Sequence, residues 1–360
     1  MELADLTLDQ LMKTVLAHKG SDLHLIQNVE PQVRIYGKMT PLDLPKLDAN
    51  TIQTLCYAIL TDSQKKAFEE QKEIDFAMEF PKIGRFRVNY YWERGAMAAA
   101  FRTIPEKIPT MDELNLPVML KDVLKRHKGL ILVTGPTGSG KTTTLAALMN
   151  ELNSTESGHI LTIEDPVEFT HPHQKCIVSH RTVGVDTHSF ANALKRSMRQ
   201  DPDFVMVGEM RDVETIRTAL TAAETGHLVL GTLHTNSAPQ TISRIINVFP
   251  TDEQALVRTQ LSMGLSCVVS QVLIPRINGE GRKAIFEIMT NMPAISNLIR
   301  DDKLHQIYST MQIGQGQTKM QTQTQELLKA FRAGDISREN ALRYSANQDE
   351  MKKQLGVGDM

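Results

Sequence analysis

The sequence predicts an α/β protein in which a small N-terminal α+β domain precedes a larger domain of alternating strands and helices and a helical C-terminal region. Three patterns support this prediction. Polar and apolar residues alternate in short runs before residue 104, and apolar runs of strand length alternate with helical segments after residue 118. A glycine-rich segment joins the first of these apolar runs to the first helical segment.

The N-terminal α+β domain is assigned to residues 1–104. Apolar residues recur at helical spacing between Leu8 and Leu16, behind a capping box formed by Thr7 and Gln10, and predict an amphipathic helix. Alternation of polar and apolar residues then predicts antiparallel strands, which lie at 22–26, 33–36, 74–78, 85–90 and 98–103.

The remaining boundaries follow from composition. Residues 105–117 contain three prolines in a polar stretch and are predicted to be a linker. Residues 118–292 show the strand–helix alternation of a largely parallel sheet. Residues 293–360 are helical and increasingly polar, with a glutamine-rich stretch from Gln312 to Gln325 that we expect at the surface.

Composition excludes several classes of protein. The 360 residues include 40 basic and 42 acidic side chains and 5% aromatic residues, which argues against a nucleic-acid partner. The cysteines Cys56, Cys176 and Cys267 are too far apart for a zinc ribbon or a disulfide framework. The N-terminus lacks the pattern of a secretory signal, and no apolar run has the length of a membrane span. We therefore expect a cytoplasmic protein without a transmembrane segment.

A phosphate-binding motif is the strongest signal in the sequence. It satisfies G-x-x-x-x-G-K-[ST] between an apolar strand and a helical segment, the context that a P-loop requires. In such a loop, backbone N–H groups surround the phosphates, the lysine reaches the β- and γ-phosphates and the hydroxyl binds Mg²⁺. ATP and Mg²⁺ are therefore the expected cofactors. The residues expected at the nucleotide are Gly135, Pro136, Thr137, Gly138, Ser139, Gly140, Lys141, Thr142 and Thr143.

Other polar side chains follow strands of the same domain. Glu164, Asp165 and Glu168 come at the carboxyl end of one strand, where ligands of parallel sheets bind. Glu209 ends another strand and is suited to hold Mg²⁺ or the attacking water. His227 and His234 stand at the two ends of a third strand.

In order and strand context, these segments resemble the Walker A, Asp, atypical Walker B and His boxes of the secretion and type IV pilus ATPases. The resemblance covers nearly the whole chain and implies a PAS-like N-terminal domain and a RecA-like ATPase core. It also implies a role for each residue. Lys141 and Thr142 bind phosphate and Mg²⁺, and Glu209 is the general base or the group that orients the water. Glu164, Asp165 and Glu168 support the metal and the water, while His227 and His234 contact the phosphates.

The family also uses two arginines of the N-terminal domain, fifteen residues apart on adjacent strands, as phosphate contacts. Arg87 and Arg102 have this spacing. Arg85 shares a strand face with Arg87, so either could be the phosphate partner, and both are also typical of solvated strand charges.

Within the family, the chain is most similar to the retraction ATPases of the PilT type. The region before the P-loop is short, and the paired C-x-x-C motif of the assembly ATPases is absent from this sequence. The segment from Pro293 to Asp301, followed by that from His305 to Ser309, resembles the retraction motif, although Ser296 and Asp301 replace its usual arginine and glutamate. The resemblance implies a hexamer that acts on an inner-membrane platform protein of the pilus and is peripherally associated with that membrane.

Alternative interpretations stay open. The chain would also suit an accessory paralogue that joins a main motor and hydrolyses little ATP, or a nucleic-acid translocase with the same core. His227 and His234 are also typical of core histidines in a sheet. The cluster His171, His173, Cys176 and His180 does not have the spacing of a standard zinc site.

Overall fold

The computed structural model describes residues 6–35, 37–105, 107–313 and 315–356. Tyr36, at the end of a predicted strand, lies outside the described residues, as does residue 106 of the predicted linker. The chain divides into two compact units. Unit 1 comprises Met1–Lys107 and Pro166–Thr170, and unit 2 comprises Ile108–Asp165 and His171–Met360. The division falls inside the predicted linker.

The described residues of unit 1 form an antiparallel sheet of six strands with helices packed on one face. The strand order is β3-β2-β1-β6-β5-β4. The elements, in chain order, are α1 (Leu8–Ala17), β1 (Asp22–Leu25), β2 (Gln32–Ile35), β3 (Lys38–Pro41), α2 (Ala49–Tyr57), α3 (Asp62–Gln71), β4 (Glu73–Phe80), β5 (Gly84–Glu93) and β6 (Ala96–Ile104).

The alternation in β5 separates the two faces of this sheet. Phe86, Val88 and Tyr90 are fully buried in the core, whereas Arg85 and Arg87 point to the opposite face. The capping box that begins α1 is present as predicted. Helices α2 and α3, which cover the core, were not assigned from the sequence.

The described residues of unit 2 contain a seven-stranded sheet with the order β13-β12-β7-β11-β10-β8-β9. All neighbouring strands are parallel except β12 and β13, so the prediction of a largely parallel sheet is confirmed. The strands are β7 (Gly129–Thr134), β8 (Gly158–Glu164), β9 (Cys176–Thr182), β10 (Phe204–Val207), β11 (Leu228–Leu233), β12 (Leu265–Pro275) and β13 (Arg282–Thr290).

Helices cover both faces of this sheet, and the alternation of apolar strands and helices in the sequence accounts for the buried strands. No helix among the described residues has the length and apolar character needed to cross a membrane. The helices are α4 (Met119–Leu124), α5 (Lys141–Thr155), α6 (Phe190–Ser197), α7 (Val213–Glu224), α8 (Ala238–Asn247), α9 (Gln254–Gly264), α10 (Pro293–Arg300), α11 (Ile307–Gln312), α12 (Gln315–Thr318), α13 (Gln323–Arg332), α14 (Arg338–Arg343) and α15 (Gln348–Gln354).

The predicted linker and the glutamine-rich stretch are both partly packed into unit 2. Met111 and Leu116 of the predicted linker are buried in its core, because the stretch between the prolines carries apolar residues that can pack without regular structure. The glutamine-rich stretch is also not uniformly exposed. Its last residues form the buried N-terminus of α13, where Thr322 and Gln325 make a capping box.

Glu287 fastens the C-terminal helices to the sheet. Its carboxylate accepts hydrogen bonds from the backbone N–H groups of Ala238, at the start of α8 (2.8 Å), and of Gln323, at the start of α13 (3.4 Å). The side chain is buried, and burial raises its pKa although both N–H groups oppose that shift. One carboxylate of β13 thus satisfies donors at two helix N-termini.

We expect Glu287→Ala to lower the free energy of unfolding by about 2–4 kcal/mol, because it leaves two buried N–H groups without an acceptor. Urea unfolding followed by circular dichroism measures this change. Glu280→Ala, in the exposed turn between β12 and β13, is the control and should change stability by less than about 0.5 kcal/mol. Equal stability of the two variants would contradict the role of Glu287.

Candidate active site of the P-loop unit

The order of strands in unit 2 brings the predicted site residues together. The neighbouring strands β7, β11, β10 and β8 are parallel, so their carboxyl ends meet at one edge of the sheet. The P-loop follows β7, His234 follows β11, Glu209 follows β10 and Glu164 ends β8. Because β11 lies between β7 and β10, His234 stands between the P-loop lysine and Glu209.

The P-loop has the backbone of a phosphate cradle. Gly135, Gly138 and Gly140 have positive φ angles of 147°, 77° and 86°. A Cβ atom on Gly135 would lie 2.2 Å from the carbonyl oxygen of Gln271, so only glycine fits there. Thr142 follows Lys141 in the first turn of α5, where the helix N-terminus favours anions.

A chain of hydrogen bonds links the P-loop lysine to Glu209. The Lys141 ammonium donates to the carbonyl oxygens of Gly135 (2.9 Å) and Pro136 (3.0 Å) and lies 3.4 Å from Nδ1 of His234. Nε2 of His234 lies 2.9 Å from Oε1 of Glu209. Because an ammonium stands at Nδ1 and a carboxylate at Nε2, Nε2 is the ring nitrogen that carries a proton toward Glu209. His234 thus donates to Glu209.

The electrostatics of the site keep Glu209 ionised. Burial would raise its pKa, but the Arg211 guanidinium, 2.6 Å away, and His234 outweigh burial and hold the pKa below its usual value. Burial also lowers the pKa of Lys141, while Glu209 opposes that shift. Glu209 is therefore a carboxylate at neutral pH, the form that accepts a proton or orients water.

The three predicted carboxylates Glu164, Asp165 and Glu168 belong to different units. Glu164 is buried at the end of β8, with its Oε1 4.0 Å from Nδ1 of His180, whereas Asp165 is exposed. Glu168 belongs to the segment Pro166–Thr170 of unit 1, where its carboxylate lies 3.9 Å from Arg87. The three carboxylates therefore have different surroundings: Glu164 is buried, Asp165 is exposed and Glu168 pairs with Arg87.

His227 and His234 lie at opposite ends of β11. His227 precedes the strand, and its carbonyl oxygen accepts from the N–H of Gly129 at the beginning of β7. Six strand residues separate it from His234, which corresponds to about 20 Å. Within one chain His227 is therefore remote from the P-loop, and its contact with a phosphate stays a prediction.

The histidine cluster around β9 is structural. Nε2 of His180 accepts from the backbone N–H of His171, and Nδ1 of His180 lies 2.9 Å from the Thr162 hydroxyl. Among the residues that the structure describes, no group of three or more His, Cys, Asp or Glu side chains is placed to hold a metal ion.

In unit 1, the two predicted arginines face each other. Arg87 of β5 and Arg102 of β6 are direct partners in the register of the antiparallel pair. Arg85 lies on the same face but is engaged otherwise: it donates to the Thr170 hydroxyl and to the carbonyl oxygen of Val167. Arg102 bonds Asp22 at 2.8 Å.

Two residues that hold the P-loop were not predicted. Nε2 of Gln271, on β12, donates to the carbonyl oxygen of Ser139 at 2.5 Å, and Nη1 of Arg282, on β13, donates to that of Gly138 at 3.3 Å. Gln271 is buried within a largely apolar strand. A polar residue inside a buried run is the sequence signal that would have identified it.

Comparison with known proteins identifies the family of this chain. The family model described as "Type II/IV secretion system protein" matches residues 3–343. The chain belongs to this family. With its P-loop and the carboxylate of Glu209 at the same sheet edge, this member of the Type II/IV secretion system protein family is an ATP hydrolase.

Several relatives of this chain are pilus ATPases. The chain is 52% identical to the "Type IV pilus retractation ATPase PilT" of Pseudomonas aeruginosa over 89% of its own length and 93% of the relative. It is 38% identical to the "Type IV pilus ATPase PilU" of the same organism, over 97% and 91%. A crystal structure of the pilus retraction motor PilT with bound ADP matches with a TM-score of 0.90 and 44% identity, covering 97% of this chain and 100% of that chain.

We expect Glu209→Gln to lower kcat for ATP hydrolysis by about 100-fold or more, because the amide cannot accept a proton. Nucleotide affinity should change by less than about threefold, since the P-loop is intact. Steady-state ATPase assays and titration with a fluorescent ATP analogue measure both quantities. Glu214→Gln, exposed in the first turn of α7, is the matched control. A Glu209→Gln variant with near-normal kcat would exclude Glu209 as the base.

We expect Gln271→Ala to raise KM for ATP by about tenfold, because the buried bond that holds the P-loop at Ser139 is lost. The substitution should lower kcat less than it raises KM, since Glu209 keeps its contacts with His234 and Arg211. The same assays test this, with Gln354→Ala, exposed at the end of α15, as the control. An unchanged KM would show that the P-loop keeps its shape without Gln271.

Proposed function

We propose that this chain is the Mg²⁺-dependent ATPase motor that powers type IV pilus retraction, and with it twitching motility. Hydrolysis in this proposal is supported by the linked group of Lys141, His234 and Glu209 beside a complete P-loop. Such a group couples the position of the phosphates to a base, which a protein that merely binds ATP does not need. The role in retraction is supported by the 52% identity to the pilus retraction ATPase.

The roles of the residues follow from these contacts. Lys141, which donates to two loop carbonyls in this structure, exchanges them for the β- and γ-phosphates. His234 then senses the lysine through Nδ1 and keeps Glu209 oriented through Nε2–H. Glu209 orients the attacking water and takes its proton. Glu164, buried at the next strand end, supports the water from the side of β8.

The residues present fit Mg²⁺. Thr142 offers a hydroxyl and Asp165 an exposed carboxylate, both hard oxygen ligands, and the described residues form no all-protein metal cage. Mg²⁺ keeps several waters and binds through few protein oxygens and substrate phosphates, which matches this donor set. When bound, it neutralises charge on the phosphates. Glu168, which pairs with Arg87, is a weaker candidate ligand than the sequence suggested.

Arg87 and Arg102 complete the phosphate contacts in this proposal. Guanidinium groups bind phosphate with two parallel hydrogen bonds, and these two lie side by side on adjacent strands. Because they belong to a different unit from the P-loop, their engagement with nucleotide would couple hydrolysis to movement of the units. We propose that six copies form the working ring.

We infer retraction, rather than assembly, from two observations. The chain is similar to the retraction ATPase, and its segment from Pro293 to Asp301, which includes α10, resembles the retraction motif. This helix buries Ile295 and Ile299 in the core, so the segment from Pro293 to Asp301 is firmly packed. Ser296, at the position of the usual arginine, donates to the carbonyl oxygen of Ser262 at 2.5 Å. In this proposal the ring lies in the cytoplasm, at the inner membrane, and acts on the pilus platform protein. A paralogous retraction ATPase is a further partner.

Live imaging of labelled pili tests the function. In a strain that lacks the gene, we expect pili to extend but not retract, because the motor that withdraws them is missing. The wild-type gene should restore retraction, whereas Glu209→Gln should not, since retraction needs hydrolysis. Glu214→Gln is the control and should restore retraction fully.

The other outcomes discriminate among the alternatives. Rescue by Glu209→Gln would show that hydrolysis by this chain is dispensable and would favour the accessory role. Loss of pili in the deletion strain would identify an assembly motor. Retention of DNA at low salt by the purified protein, with release at higher salt, would favour the translocase.

A further inference from the structure

A row of charged side chains crosses one face of the sheet in unit 1. Arg34 of β2, Asp22 of β1, Arg102 of β6 and Arg87 of β5 are consecutive partners in the strand register. Cross-strand partners on one face have Cβ atoms about 5 Å apart, so each side chain reaches the next. Asp22 is thus flanked by arginines on both neighbouring strands.

The contact of Asp22 with Arg102 is the shortest ion pair of this row. Oδ1 of Asp22 lies 2.8 Å from Nε of Arg102, and Oδ2 lies 3.7 Å from Nε of Arg34. The Ser21 hydroxyl donates to Oδ2 at 2.7 Å. Burial would raise the pKa of Asp22, but Ser21 and Arg102 outweigh it and keep the pKa below its usual value. The carboxylate is therefore a fixed anion.

The atom of Arg102 that makes this bond matters for function. Nε is the donor next to the side-chain stem, and a guanidinium has five N–H donors in one plane. Bonding at Nε fixes the plane of Arg102 and leaves the terminal Nη groups able to donate elsewhere. The side chain of Asp22 is 11% exposed and that of Arg102 is 69% exposed, so the anchor is buried while the charged end faces solvent.

The space in front of this row suits a phosphate group. A cavity of about 220 Å³ lies here, and its charged lining consists of three arginines, Arg34, Arg87 and Arg102, and two carboxylates, Asp22 and Asp75. His24 and Asn89 also line it, and the guanidinium groups outnumber the carboxylates. Two parallel N–H···O bonds from one guanidinium are the preferred geometry for phosphate, and that geometry requires a fixed plane.

We infer that Asp22 is a positioning residue that holds the Arg102 guanidinium by Nε, so that its terminal amino groups are ready to bind a nucleotide phosphate. This inference rests on the proposed function, because it assumes that Arg102 contacts phosphate. It assigns to Asp22 a role in catalysis without contact with the substrate, as an anchor that lowers the entropy lost when Arg102 binds.

Double-mutant kinetics of MgATP hydrolysis by the full-length protein test the inference. We expect Asp22→Asn to lower kcat/KM about five- to tenfold and Arg102→Ala to lower it further, since losing one charge-assisted bond costs less than losing the phosphate contact. Asp22→Asn should have no additional effect in the Arg102→Ala background. Asp43→Asn, exposed in a loop of the same unit, is the matched control.

The outcomes separate this inference from the proposed function. A loss caused by Asp22→Asn that is equally large without Arg102 would show a structural role and overturn the inference, as would normal kinetics of Asp22→Asn. Normal kinetics of Arg102→Ala would overturn the proposed phosphate contact itself. If Asp22→Asn unfolds, Ser21→Ala removes only the second bond to the carboxylate, and its smaller loss should likewise vanish in the Arg102→Ala background.

Discussion

The position of β11 between β7 and β10 is the constraint on which the candidate active site depends. It places His234 between the P-loop lysine and Glu209, so that one imidazole contacts both. The end of β10 is fastened to β11, because the Thr232 hydroxyl donates to the carbonyl oxygen of Gly208. Catalytic side chains that follow rigid parallel strands are held to a precision that free loops do not provide.

Strands β12 and β13, on the other side of β7, also support the loop. Gln271 of β12 bonds the P-loop at Ser139, and the close approach of its carbonyl oxygen explains the glycine at position 135. Glu287 of β13 joins α8 and α13 to the antiparallel hairpin of β12 and β13. The helices of the C-terminal region are therefore connected, through one hairpin, to the strand that contacts the nucleotide loop.

Unit 1 carries a separate arrangement of charge. Its exposed sheet face holds arginines whose carboxylate partners, Asp22 and Glu168, come from a neighbouring strand and from the segment Pro166–Thr170. Each arginine is thus supported by an anion before any ligand is present. Preorganised cations of this kind suit phosphate, since the energetic cost of ordering the side chain is met during folding.

The sequence by itself determined the fold class, the P-loop and the carboxylates and histidine that follow the strands, because periodicity and local motifs are properties of short segments. Tertiary structure alone decided which of these residues meet. It placed His227 at the opposite end of β11 from His234, and Glu168 beside Arg87. It also revealed Gln271 and Asp22, whose partners are 132 and 80 residues away, since contacts over such separations leave no local pattern.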